Sequence, residues 1–308
     1  MALKPKVFII GISGLVGYAL GLGLRKNFLV TGASFRNQVW IPGSQIFPVT
    51  LKSADVLEAL IRVQNPDFII SAAGTGDRRE VEAQPKVSDM VNIMLPVSSA
   101  ILASRLRAKF LNVGCAEVFG GEKGMYTEDD TEFTLTDPVG KQKIAAHSYI
   151  RAQTLESTTL RFGRVIGVGH PFRRSFFDRF RATAAEKTTY DASRNKTRSY
   201  ISCRSVVQAV EQVLMGESPP RHRTFHVGGA NMTEHELIST WYKLMGADPR
   251  LVAVLQDSKH NLSLDSTTMQ KNYPGWKAES KQELLLSMLE ELTPAVGNHR
   301  WQKTVAGL

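Results

Sequence analysis

The chain has 308 residues, 43% of them hydrophobic and 22% charged, which excludes extended disorder and low-complexity architectures. Its 38 Lys and Arg against 29 Asp and Glu give a net charge of +9, which admits a nucleic acid, a membrane surface or a phosphate-rich small ligand as partner. Two cysteines, Cys115 and Cys203, exclude a disulfide framework and point to a reducing, cytoplasmic compartment.

Residues 1–6 run directly into a strand-like segment, without the layout of a secretory signal. Val7, Phe8, Ile9 and Ile10 then form a short apolar run ended by Gly11, the pattern of a buried parallel strand. Residues 15–25 read as a helix and 28–35 as a second strand. A rival reading takes the uncharged run 7–24 as a membrane span. Its five glycines and its strand-then-turn opening argue against that. Residues 55–64 have helical spacing, with Val56, Leu57, Leu60, Ile61 and Val63 apolar, and Asn65-Pro66-Asp67 ends them. The alternation continues with a strand at 68–73, a long helix at 87–105, a strand at 109–113, a helix at 137–149 and a strand at 158–162. Strands alternating with helices imply an α/β fold, a Rossmann-type doubly wound parallel sheet with a smaller C-terminal substrate lobe.

After Arg161 the pattern loosens. Residues 163–198 are basic and aromatic, 201–215 read as a strand edge plus helix, and 224–227 as one more strand. A helix at 233–245 opens with the cap-like Thr233-Glu234-His235-Glu236, and 279–292 form an amphipathic helix. The expected division is a dinucleotide-binding domain over 1–162, to which 199–228 returns, and a smaller substrate-binding lobe over most of 163–308. That lobe is expected over the carboxyl ends of the strands, where open α/β sheets bind ligands.

The segment Gly11-Ile12-Ser13-Gly14-Leu15-Val16-Gly17 links the first strand to the first helix. Gly11 suits the tight turn, Gly14 a close approach of pyrophosphate to the backbone, and Gly17 close helix–strand packing. The free N–H groups of Ser13, Leu15 and Val16 and the helix dipole would hold the phosphates. The second strand ends Gly32-Ala33-Ser34-Phe35-Arg36, without the acidic residue that an NAD site carries there. Ser34 and Arg36 suit a 2′-phosphate instead, so NADP(H) is favoured over NAD(H). The bland reading of Arg36 is a solvated loop charge.

The glycine spacing resembles the extended short-chain dehydrogenase/reductases, the NAD-dependent epimerase/dehydratase superfamily. Further segments resemble the family in the same order. Pro66 to Ala73 look like the strand whose end, at Ala72 and Ala73, lies near the adenine, and Val91-Asn92 look like its helix asparagine. Cys115-Ala116-Glu117-Val118-Phe119-Gly120-Gly121 and the loop from Gly124 to Asp130 are similar to dTDP-4-dehydrorhamnose reductases. Gly140-Lys141-Gln142-Lys143 resembles the end of their tyrosine–lysine motif. Leu160 to Gly167, Arg198-Ser199-Tyr200-Ile201, Ser263 to Ser266 and His299-Arg300-Trp301 extend the likeness over nearly the whole chain. The resemblance implies a nucleotide-sugar reductase or epimerase of carbohydrate biosynthesis, a homodimer, and Lys143 on the cofactor ribose.

The family's chemistry uses a Tyr-x-x-x-Lys pair and a Ser or Thr. Here Val139 stands four residues before Lys143, and Cys115, preceded by Gly114, stands at the hydroxyl position. Valine transfers no proton, and a thiol is a weak donor. Three substitutes are open: a water relay beside Val139, a Cys115 of lowered pKa acting with Lys143 as catalytic groups, or Tyr126, Tyr149 or His170 from a loop. An inert Cys115 is equally compatible with the residues. The alternative function is a catalytically silent dinucleotide-binding regulatory protein.

Arg173, Arg174 and Arg198 are expected to clamp a substrate diphosphate. Their stretch, with Phe176, Phe177 and Phe180, reads equally as an amphipathic helix with a buried aromatic face. A nucleic-acid surface is the weakest of the three readings. The seven histidines have no metal-ligand spacing, so no metal is expected.

Overall fold

Every residue of Val7–Ile10 is fully buried, because alternate side chains enter cores on opposite faces of one sheet. Val7 and Ile9 join one core, Phe8 and Ile10 the other. The computed structural model describes residues 3–51, 54–134, 136–153, 157–169, 174–216 and 223–292.

The first half runs β1 (Lys6–Ile10), α1 (Leu15–Leu24), β2 (Leu29–Ser34), β3 (Gln45–Pro48), α2 (Ala54–Gln64) and β4 (Phe68–Ser71). It continues with α3 (Arg78–Ala83), α4 (Pro85–Asp89), a π-helical turn (Met90–Met94), α5 (Leu95–Leu106) and β5 (Lys109–Cys115). A 3-10 turn (Ala116–Val118), α6 (Pro138–Gln153) and β6 (Ser157–Phe162) complete it. Then follow β7 (Arg164–Ile166), α7 (Phe176–Glu186), β8 (Tyr190–Ser193), β9 (Lys196–Ser202), α8 (Cys203–Met215) and β10 (Arg223–Val227). The last elements are β11 (Ala230–Thr233), α9 (Glu234–Leu244), β12 (Val252–Leu255), β13 (His260–Leu262), α10 (Thr267–Asn272) and α11 (Lys281–Leu292).

Seven strands form a parallel sheet in the order β10-β6-β5-β4-β1-β2-β3. This is the Rossmann-type α/β fold. The chain winds outward from β1 through β2 to β3, then returns to β4 on the other side of β1. That reversal opens a crevice at the carboxyl ends of β1 and β4. On one face Val7, Ile9, Ile70, Leu111 and Phe225 meet α1 and α8. On the other Phe8, Ile69 and Phe110 meet α2 and α5. The uncharged run 7–24 is therefore a strand, a turn and a ten-residue helix. The continuous helix Pro85–Leu106 is long and apolar enough to cross a membrane by length and composition, but it packs on β4, β5 and α6.

A smaller sheet centres on β9, which pairs with β11, β13 and β7, and β8 pairs with β12. Its core is aromatic: Phe176, Phe177 and Phe180 of α7 pack with Tyr200 and Trp241. The amphipathic reading of 176–181 accounts for these phenylalanines. Ser175 and Asp178 close a reciprocal cap at the start of α7, and Thr233 caps α9 by accepting from Glu236 N–H at 3.1 Å. The strands at 45–48, 190–193 and 252–255 were not expected, since each is only four residues long and partly exposed.

His226 in β10 is fully buried between a carbonyl, which only accepts, and a guanidinium, which only donates. Its Nδ1–H donates to Tyr126 O at 2.8 Å, and Nε2 accepts from Arg161 Nη1 at 3.3 Å, so the ring is neutral. Burial first, then the Arg161 charge, lower its pKa to about 4. The unfolded chain takes up this proton near pH 6.5, well before the folded protein does. Stability from this residue is complete above about pH 6.5 and is lost between there and about pH 4, by about 3 kcal/mol in all. Urea unfolding at pH 7 and pH 4 should show His226→Gln losing about 3 kcal/mol less than the wild type. Equal losses would contradict the assignment.

Candidate dinucleotide and substrate site

The crevice is built by backbone contact. Gly11 has a φ of +83°, and a Cβ there would lie 2.5 Å from the Ala73 Cα. Only glycine allows this turn and this approach of β1 to β4. Gly17 faces back onto the same turn, where a Cβ would fall 2.2 Å from Gly11 O. Helix α1 thus starts against the strand end, with Gly14 as N-cap and no side-chain cap. Its first N–H groups open onto a cavity of about 920 Å³, whose wall includes Ser13, Gly14, Leu15, Val16, Ala72 and Ala73. An uncapped helix N-terminus beside a backbone cradle fits the phosphates of a dinucleotide.

A narrower pocket branches from this cavity. Phe35, Leu51, Val87 and Val91 give it apolar walls, and Arg36, Asn37, Thr75 and Glu80 a polar mouth. Arg36 is in the pocket, ion-paired with Glu80. Thr75 Oγ1 donates to Glu80 Oε2 at 2.6 Å. Ser34 is buried and lines neither space; its carbonyl accepts from Val49 N–H at 2.9 Å. The structure therefore brings Arg36, but not Ser34, to the mouth. Glu80 was missed because it arrives from α3, 44 positions from Arg36, and no local spacing announces it.

Lys143 is set by a buried amide network. Asn92, inside the π-helical turn, accepts from Thr75 N–H and donates to Thr75 O, both at 3.0 Å. It also donates to Gln142 Oε1 at 2.7 Å, and Gln142 Nε2 donates to Ser88 Oγ and Asp89 Oδ1. The widened turn aims Asn92 across the gap between β4 and α6. The next residue, Lys143, reaches Gly74, where an added Cβ would lie 3.0 Å from Nζ. Burial pulls the Lys143 ammonium below its ordinary pKa. Val139, one turn earlier on α6, is buried at the same wall.

Cys115 ends β5 at the cavity, and Glu117 follows on the 3-10 turn. The expectation of a lowered Cys115 pKa is corrected here. Burial, then the neighbouring Glu117 carboxylate, push the thiol up, and Lys143 offsets this only in part. The thiol keeps its proton and shares it with Glu117. Burial opposes ionisation of Glu117, but Arg198 and Arg164 outweigh it and hold the carboxyl below its usual range. Arg198 Nη1 donates to Glu117 Oε1 at 2.8 Å, so Arg198 meets the cavity through that carboxylate. Arg164, Arg174 and Arg179 line the cavity directly. Arg173, His170 and residues 299–301 lie outside the described residues. Tyr126 is fully buried, with its hydroxyl accepting from Gly121 and Lys123 N–H, and Tyr149 is exposed. Neither lines the cavity.

The model of the family described as RmlD substrate binding domain matches residues 5–270. No curated protein matches the chain. A hypothetical dTDP-4-dehydrorhamnose reductase from Sulfolobus tokodaii is 22% identical, with 92% of this chain and 99% of that chain covered and a TM-score of 0.77. UDP-glucose 4-epimerase from Thermotoga maritima, solved with UDP-glucose, is 16% identical over 95% of this chain and 100% of that chain, at a TM-score of 0.81. WbmG from Bordetella bronchiseptica, in complex with NAD and UDP, is 17% identical over 94% of this chain and 96% of that chain, at 0.77. At these identities the likeness to solved structures is one of fold.

Gly17→Ala should raise the dissociation constant for NADPH at least about tenfold, by moving the first turn of α1 off Gly11. Fluorescence titration, with circular dichroism to confirm folding, checks this. Unchanged affinity in a folded variant would show that the glycine turn does not hold the cofactor.

Proposed function

This chain belongs to the RmlD substrate binding domain family, and we propose that it is an NADP(H)-dependent reductase or epimerase of a nucleotide-activated sugar with a non-standard proton donor. The observation that carries this is the single cavity running from the glycine turn, past Lys143 and Cys115, to three arginines. Residues 1–162 together with 199–228 hold the cofactor, and most of 163–308 covers the sugar nucleotide. The fold-mates solved with UDP-glucose and with NAD and UDP support the pairing of a dinucleotide with a nucleotide sugar.

The cofactor phosphates rest on the N–H groups of Ser13, Leu15 and Val16, and Gly11, Gly14 and Gly17 admit them. Ala72 and Ala73 flank the adenosine. Arg36, with no acid at the end of β2, supports NADP(H) over NAD(H). The nicotinamide supplies a hydride when bound. Lys143 holds the ribose hydroxyls with its ammonium. Cys115, protonated, turns its one S–H from Glu117 to donate to the sugar oxygen, leaving a thiolate beside the Lys143 ammonium. Arg174, with Arg173, clamps the diphosphate, while Arg198 fixes Glu117 at the sugar end. A thiol donor makes slow turnover the expectation, since losing a tuned general acid costs about 10²–10⁴-fold. A homodimer in the cytoplasm, with the thiols of Cys115 and Cys203 reduced, completes the reading; no membrane or nucleic-acid partner is proposed.

The buried Val139 supports a second reading, a regulatory protein that binds NADP(H) without turning it over. Single-turnover oxidation of bound NADPH separates the two, with a panel of nucleotide-linked 4-keto sugars. The enzyme reading predicts oxidation by the wild type, a rate at least about 10²-fold lower in Lys143→Ala, and a faster rate in Val139→Tyr. Tight binding with no oxidation by either the wild type or Val139→Tyr would establish the regulatory reading instead.

A further inference from the structure

Arg164, Arg174 and Arg179 all line the cavity, but they are held differently. Arg174 is exposed at the entry to α7, and Arg179 lies at the Tyr190 hydroxyl of β8. Arg164 leaves the carboxyl end of β6, where Phe162, two residues earlier, is the register partner of Cys115 on β5. Gly163 permits this exit, because a Cβ there would fall 2.3 Å from Ser199 O of β9. The part-buried Arg164 guanidinium stacks on the Phe176 ring, 4.9 Å from its centre. Stacking fixes the plane of a guanidinium and leaves its edge donors to a planar acceptor. Among the described residues the Arg164 guanidinium makes no ion pair and donates no hydrogen bond. Glu117 is the cavity carboxylate that feels its charge, and Arg198 already holds Glu117 at 2.8 Å. Near Cys115 the cavity therefore presents an oriented cation with free donors.

We infer that Arg164 receives a carboxylate of the substrate, so that the activated sugar is a uronic acid. The inference rests on the nucleotide-sugar reading of the cavity. Arg174 meets the diphosphate from the entry to α7. A neutral sugar would then cover the Arg164 guanidinium without giving it an anion, and a desolvated, unpaired charge is costly. A uronate carboxylate instead matches the guanidinium fork with two parallel hydrogen bonds. Arg198 offsets the charge of Glu117, so the signs alternate from Arg198 through Glu117 and Arg164 to the substrate carboxylate. Arg164 thereby selects an acidic sugar over its neutral counterpart, through contacts that the nucleotide and the diphosphate do not share.

The test is calorimetric titration of UDP-glucuronate and UDP-glucose, which differ only at the sugar C6, into the wild type, Arg164→Gln and Arg174→Ala with NADPH present. The wild type should bind UDP-glucuronate at least about tenfold more tightly than UDP-glucose. Arg164→Gln should bring the two affinities to within about threefold of each other. Arg174→Ala should weaken both ligands and keep their ratio, as expected of a diphosphate contact. The wild-type ratio needs no variant, and decides the matter if Arg164→Gln fails to fold. Equal affinities in the wild type, or an unchanged ratio in folded Arg164→Gln, would overturn the inference and leave the nucleotide-sugar reading standing. Failure of the wild type to bind either ligand would overturn both.

Discussion

Gly11 and Ala73 meet backbone to backbone at the point where the strand order reverses, and the rest of the site is arranged around that contact. A side chain at Gly11 would force β1 and β4 apart. With the strands in register from Val7 opposite Phe68 to Ile10 opposite Ser71, the two chain exits diverge and leave a crevice. Gly17 then lets α1 begin directly over the turn. The uncapped N-terminus of α1 faces the same space as the Ala73–Thr75 loop, which the Asn92–Gln142 network ties to α6 and so to Lys143.

Carboxylates temper an otherwise basic cavity at both ends. Beside the glycine turn Glu80 pairs with Arg36; at the far end Glu117 pairs with Arg198 and lies near Arg164. An arginine that faces only solvent is available to any phosphate. An arginine held by a part-buried carboxylate is pre-positioned, and an anion there competes with that partner for the guanidinium donors. Burial, and after it the charge of Glu117, push the Cys115 thiol up and keep it protonated. Val139 and the Cys115 thiol line the same cavity.

The fold was legible where periodicity is strong. The run Val7–Ile10, the glycine trio and the helix that follows announce strand, turn and helix by composition alone, and the parallel sheet follows from their alternation. The short strands of the smaller sheet were not legible, because four-residue edge segments such as Val252–Leu255 are half exposed and carry little alternation. At the site, residues tied to the glycine turn were readable by order along the chain. Glu80 and Glu117 were not, because their significance comes from partners 44 and 81 positions away. A lowered Cys115 pKa was one of several substitutes left open, and the structure disfavours it because burial, which no local spacing announces, together with Glu117 outweighs Lys143. Ser34 looked equivalent to Arg36 on β2, but strand pairing with β3 buries it away from the pocket.

The central claim is that one cavity holds a dinucleotide and a nucleotide sugar together, face to face across Lys143 and Cys115. A crystal structure of the protein with NADPH and UDP-glucose tests it most directly. The account predicts pyrophosphate density on the N–H groups of residues 13–16, the nicotinamide beside Lys143, and the sugar about 3.5 Å from it with its diphosphate among the arginines. A dinucleotide bound away from the glycine turn, or a sugar nucleotide that leaves Arg164, Arg174 and Arg179 untouched, would contradict it.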